Sequence, residues 1–223
     1  MAAPSVIQTA TNQGTGITSL TTPGITTSTG SRFYIYTASG SLTSVSDNKG
    51  NTYTLVKQQV GGTRTGNLYC CANGTGGAGH TATTNYSSAG ARDIVFIEVS
   101  TNAYQDIVAG AANSTQPFTL TTSALADAAE LAFIFVVQNN PPVAPNFTET
   151  TGFTQLYANN SLSYDPIYVG AKTLSSAAAI SPSVSSDDTT QGGATIVVTL
   201  ATNPVLTGSL GQWDPSLRIL SWF

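Results

Sequence analysis

Two stretches of the chain, roughly 100 residues apart, carry the same strand-like segments in the same order. Arg32-Phe33-Tyr34-Ile35-Tyr36 is answered by Leu131-Ala132-Phe133-Ile134-Phe135, and Gly50-Asn51-Thr52-Tyr53-Thr54-Leu55 by Gly152-Phe153-Thr154-Gln155-Leu156-Tyr157. Asn67-Leu68-Tyr69-Cys70-Cys71-Ala72 is answered by Pro166-Ile167-Tyr168-Val169-Gly170-Ala171. Asp93-Ile94-Val95-Phe96-Ile97-Glu98-Val99 is answered by Ala194-Thr195-Ile196-Val197-Val198-Thr199-Leu200. Identity between the pairs is low, but the apolar pattern and its order persist. Such a chain points to a symmetric β scaffold and away from a fold organised around one catalytic cluster.

The expected fold is all-β: an antiparallel, jelly-roll-like β-sandwich with two pseudo-repeated halves, residues 31–101 and 131–201. The sandwich spans 31–207, after an N-terminal arm with edge strands (1–30) and before a C-terminal anchoring segment (208–223). Two units of this size can also make two small domains. One sandwich is favoured because Ile107, Val108, Phe118, Leu120 and Leu125 in the connector would bury. Strands are then expected to exchange between the two sheets. Asp47-Asn48-Lys49-Gly50-Asn51 is a strong turn signal and predicts a hairpin over 45–60. Ser123–Glu130 has the composition of a short helical turn.

Charged residues make up only 8% of the chain, and Thr, Ser, Asn and Gly carry the polar surface. That composition suits an outside-facing or assembled protein. The net charge of −4 and seven scattered basic residues argue against nucleic acid and anionic membranes as partners. The start of the chain lacks the charged and apolar regions of a signal peptide, so synthesis in a cytoplasm without export by that route is expected. The longest apolar run, 131–137, is too short to span a bilayer.

Chemistry-bearing residues are sparse. The single histidine, His80, follows a Gly-rich stretch and reads as a loop or strand-end residue. The carboxylates Glu98, Glu130, Glu149, Asp106, Asp127 and Asp165 sit in no motif, and Glu98, on an alternating strand, is expected to face solvent. Cys70 and Cys71 are adjacent, which on a strand places them on opposite faces as packed thiols. Asp187-Asp188 and the Asp47 turn offer oxygens without matching a calcium loop. The expectation is therefore no enzyme, no metal and no cofactor.

Val45-Ser46-Asp47-Asn48-Lys49-Gly50-Asn51-Thr52-Tyr53-Thr54, followed by the aromatic-bearing strand at Leu68–Ala72, resembles a phrase of β-sandwich accessory proteins of bacteriophage virions and bacterial surfaces. There an Asp-x-x-Gly-Asn-x-Tyr hairpin has a structural role, so the resemblance implies a fold and a setting but no catalytic residues. It covers roughly residues 30–200. The implied function is a virion structural protein, in the first place a capsid decoration (cement) protein on the outer surface. It would bind the major capsid protein or other virion proteins as a homo-oligomer, such as a trimer. Leu217, Ile219, Trp222 and Phe223 at the end of the chain are the candidate anchors, since large rings seldom stay in water. The alternative is a carbohydrate-binding adhesin of a tail or head fibre, recognising host polysaccharide. Its candidate platform is Tyr157, Asn159, Asn160 and Tyr164, combining aromatic faces with amides.

Overall fold

The computed structural model describes residues 3–101, 103–139, 144–161, 165–188 and 191–202. The candidate anchors Leu217, Ile219, Trp222 and Phe223, like Tyr164, lie outside the described residues. Sixteen strands are present among those described, and no helix. The first eight are β1 (Val6–Thr21), β2 (Ile25–Thr27), β3 (Arg32–Ala38), β4 (Leu42–Asp47), β5 (Thr54–Gly61), β6 (Arg64–Cys71), β7 (Gly77–His80) and β8 (Ala82–Val99). The second eight are β9 (Ala103–Asn113), β10 (Phe118–Thr119), β11 (Leu131–Gln138), β12 (Phe147–Glu149), β13 (Thr154–Asn159), β14 (Ile167–Thr173), β15 (Ser183–Ser186) and β16 (Gly193–Thr202).

These two sets of eight share one topology except at the fourth strand, since β4 pairs with β8 whereas its counterpart β12 pairs with β15. One main sheet runs β1-β8-β3-β6-β5 and the other β9-β16-β11-β14-β13. Counted within each half, both orders are first, eighth, third, sixth, fifth. In both halves the second strand pairs with the seventh outside the main sheet. This is the strand order of a jelly roll. Registers repeat as well: Tyr34 lies between Cys70 and Ile97, and Phe133 lies between Ala171 and Val198. Even the irregularities recur. A register shift falls between Leu55 and Lys57 in β5 and between Gln155 and Tyr157 in β13. Conserved bulges of this kind mark designed features of a sheet, so the repeat is a repeat of structure and not of composition alone.

The two main sheets pack face to face, and their inner faces form one shared core. Tyr34, Tyr36, Leu68, Val95 and Ile97 from the first sheet meet Phe133, Phe135, Val169, Ile196 and Val198 from the second. Each such side chain, removed from water, contributes about 1.5–3 kcal/mol. The alternate residues of the same strands face outward into two further clusters. Phe33, Ile35, Ile94 and Phe96 lie under β2, β4 and β7, while Ile134, Val136, Tyr168 and Val197 lie under β10, β12 and β15. The central strands are thus buried on both faces, which is why β3 and β11 read as unbroken apolar runs. Cys70 points into the shared core and Cys71 into the outer one, and both are free thiols.

Several expectations are corrected by this layering. Each half keeps its own main sheet; strands exchange only between that sheet and the half's own outer layer. Residues 45–60 do not form a hairpin, because β4 pairs with β8 and β5 pairs with β6. The Asp47 turn therefore crosses between layers. Residues 103–113 of the connector form strand β9, the counterpart of β1, and Ser123–Glu130 is irregular without a helical turn. Glu98 does not face solvent. It is fully buried under the turn after β2, where it accepts hydrogen bonds from Gln8 Nε2 (2.6 Å), Ser28 N (2.7 Å) and Ser31 Oγ (2.8 Å). The alternation rule fails there because β8 is covered on both sides.

Candidate functional site

The sequence phrase Asp-x-x-Gly-Asn-x-Tyr folds into a closed polar hub. Asp47 Oδ1 accepts from the backbone N–H groups of Lys49 (2.9 Å) and Asn51 (3.0 Å). Its Oδ2 accepts from Asn51 Nδ2 (2.7 Å), the Tyr53 hydroxyl (2.8 Å) and His80 Nε2 (2.9 Å). Gly50 takes a positive φ to close the turn. Burial works to raise the Asp47 carboxyl, but hydrogen bonds from Asn51, His80 and Tyr53 outweigh it and hold it below the usual carboxylate range. On its other side, His80 Nδ1 is 2.7 Å from Thr27 Oγ1. Hydroxyl, imidazole and carboxylate thus stand in line as in a hydrolytic triad. His80 is nevertheless fully buried between the rings of Phe33 and Phe96, each 4.9 Å away, and Thr27 is buried too. A substrate carbonyl has no route to that hydroxyl, and the arrangement serves as a staple between layers.

An accessible site lies elsewhere, between the edges of the two main sheets. A cleft of about 560 Å³ has Thr11–Gln13 of β1 on one wall and Tyr157–Ser161, from β13 and the residues after it, on the other. Among the described residues its lining is amide, hydroxyl and phenol, with the methyl of Ala158 and no charged side chain. Beneath it lies Asp93, fully buried on β8. The Tyr157 hydroxyl donates to Asp93 Oδ1 (2.8 Å), and Asn159 Nδ2 donates to both carboxylate oxygens (2.9 and 3.0 Å). Burial nevertheless pushes the Asp93 carboxyl up to about 7, with Tyr157 and Asn159 working against the rise and Asp165 adding to it. Asp165 is itself buried and raised to about 6, although Arg64 pairs with it.

Of the candidate platform, Tyr157, Asn159 and Asn160 come together here, and each has a distinct part. Asn159 is buried and turned inward, Tyr157 is half-buried with its hydroxyl tied down, and Asn160 is exposed at the rim. Thr11, Asn12, Gln13 and Asp93 are the members sequence reasoning missed. One signal was present: in the aligned repeat, Asp93 stands opposite Ala194, a charge where its counterpart is apolar.

A second groove runs along the opposite edge, past Arg32. The guanidinium donates to the carbonyl of Ala103 (3.2 Å) and lies 3.2 Å from Cys70 Sγ. Burial and the neighbouring Arg32 act on that thiol in opposite directions, burial prevailing and raising it, so it is no activated nucleophile. Among the described residues no group of three or more His, Cys, Asp or Glu side chains is arranged to hold a metal ion, and no helix is long and apolar enough to cross a membrane.

Neither protein-family models, nor the curated proteins, nor the solved structures gave a match to this chain.

Proposed function

We propose that the chain is a bacteriophage virion structural protein, a capsid decoration protein that binds the head from outside and stabilises it as a homo-oligomer. The observation that supports this reading most is the double jelly-roll body itself. Two eight-strand units share one core through their main sheets, which makes a stiff, four-layered block. Its surface is hydrated by hydroxyls and amides in place of long charged side chains. A stiff body loses little entropy on docking, which is what an added shell component needs. Apolar side chains remain exposed at Ile7 (48%), Leu55 (50%) and Val60 (53%), near sheet edges where a neighbouring subunit can pack. The test mixes purified protein with heads lacking it. Saturable binding and a raised disruption temperature are expected; heads that neither bind the protein nor gain resistance to heat or low salt overturn the reading.

The adhesin reading is favoured by a different observation, the open polar cleft. Gold-labelled antibody on particles separates the two, because decoration places label over heads and the adhesin places it on fibres or tail tips.

A further inference from the structure

We propose that the cleft between β1 and β13 is a binding site for a neutral oligosaccharide. The inference gives the adhesin reading its site and rests on that reading, whereas decoration stands or falls independently of it.

The argument begins with the pseudo-symmetry. Thr11 and Gly110 hold equivalent positions, since Thr11 pairs with Val95 and Gly110 with its counterpart Ile196. Lys57 and Tyr157 are likewise equivalent, pairing with Leu68 and Val169. Each edge of the sandwich should therefore look alike, and the two do not. On the β5/β9 edge the strands close up: a Cβ on Gly110 would meet Lys57 Cε at 2.6 Å and Gln59 Oε1 at 2.7 Å, and a Cβ on Gly61 would meet the Gly193 backbone at 2.1 Å. The counterparts of Gly61, Gly110 and Gly193 are Ser161, Thr11 and Arg92. Thr11 and Ser161 line the open edge, whereas Arg92 turns to the outer layer, where it bonds Ser41 Oγ and the carbonyl of Ser88 and lies over the Tyr86 ring. Glycines at 61 and 110 let one copy of the cleft close, and Ser161 and Thr11 stand at the same places in the open copy.

The chemistry of the opening selects the ligand. Thr11, Asn12, Gln13, Asn160 and Ser161 supply donors and acceptors, and Tyr157 supplies an aromatic wall on which a sugar C–H face can stack. The volume lies in the range of small-molecule sites. Asp93 fixes Tyr157 and Asn159 from below, so their wall is preorganised. Among the described residues no basic side chain lines the opening to pair with a sugar carboxylate, which disfavours uronic or sialic acids.

The test presents the full chain to an array of neutral and acidic oligosaccharides and titrates the hits in solution, following backbone amide resonances. At least one neutral oligosaccharide should bind and shift the amides of Gln13 and Asn160. Thr11→Arg and Asn160→Trp, both at the rim, should weaken it at least tenfold. Val60→Trp, at the position equivalent to Asn160 on the closed edge, should not. Binding that survives both rim variants, or binding of acidic sugars only, overturns the cleft while leaving an adhesin with a site elsewhere. No binding to any oligosaccharide overturns the cleft, and if intact host cells also fail to bind, the adhesin reading goes with it.

Discussion

Arg64 and Asp165 occupy equivalent positions in the two halves, and they meet as an ion pair in the interior between them. Arg64 stands four residues before Leu68, which pairs with Tyr36; Asp165 stands four before Val169, which pairs with Phe135. Equivalent residues touch only next to a symmetry axis. Tyr36 and Phe135 do the same, with ring centroids 4.9 Å apart. The pseudo-two-fold axis therefore passes between β3 and β11. At that axis a repeated residue would face its own copy, so one half supplies the cation and the other the anion.

This pair should respond unequally to its two truncations. Asp165 is wholly buried while Arg64 keeps a quarter of its side chain exposed. Arg64→Ala strands a carboxylate in the interior and is expected to cost about 3 kcal/mol. Asp165→Asn leaves a guanidinium that can turn towards water and is expected to cost about 1 kcal/mol. Urea unfolding of the two variants checks the order; equal losses would mean that the pair is screened.

The raised carboxyls set a pH dependence. Asp93 moves from an ordinary 3.8 to about 7 and Asp165 to about 6, in each case chiefly through burial. A carboxyl whose folded pKa is raised favours the folded state while protonated. That stability is complete below about pH 4 and is lost as pH rises through 6 to 7. Thermal unfolding should therefore show a lower Tm at about pH 8 than at about pH 5, with a free-energy difference of roughly 2–4 kcal/mol. Asp47 acts with the opposite sign. Its depressed pKa contributes stability above the ordinary value, which is lost only as pH falls through the lower folded one. A Tm that rises steadily from pH 5 to pH 8 would contradict the assignment of Asp93 and Asp165.

Much of the fold was legible because the central strands had to be apolar. Arg32–Tyr36 matches Leu131–Phe135 residue for residue, and so does Asp93–Val99 with Ala194–Leu200. The other two alignments slipped by two residues: Leu68 corresponds to Val169 and not Ile167, and Leu55 to Gln155 and not Tyr157. A two-residue slip keeps every side chain on its proper face, so apolar alternation cannot detect it. The layering escaped notice for another reason. β4 is too polar to declare which sheet it joins, and what anchors the turn after it is the remote His80. The cleft was half legible. Tyr157, Asn159 and Asn160 share one strand end and stood out, whereas Thr11, Asn12 and Gln13 reach them only across the sandwich.

The Asp47 hub should be structural in its response. Asp47→Ala removes the acceptor of five hydrogen bonds and leaves His80 buried with one partner, for an expected loss of about 3 kcal/mol or more. Asn51→Ala should cost about 1–2 kcal/mol, since its side chain also links Asp47 to the carbonyl of Thr75. Hydrogen exchange should speed up together in residues 47–54 and 77–80. Exchange confined to the turn would show that the hub does not couple the layers.

The closed edge makes the sharpest demand on side-chain size. Gly193 lies where an added Cβ would come 2.1 Å from the carbonyl oxygen of Val137, and Gly61 where it would strike the Gly193 backbone. No rotamer relieves a clash of Cβ with backbone, so Gly61→Ala forces β5 away from β16, and Gly193→Ala forces β16 away from β11 in its own sheet. Gly193→Ala and Gly61→Ala are each expected to cost about 3 kcal/mol. Ser161→Gly, the mirror substitution on the open edge, should change stability by about 0.5 kcal/mol or less. Denaturant midpoints of the three variants decide the matter: a loss at Gly61→Ala no larger than that at Ser161→Gly would mean that the asymmetry of the two edges has another origin.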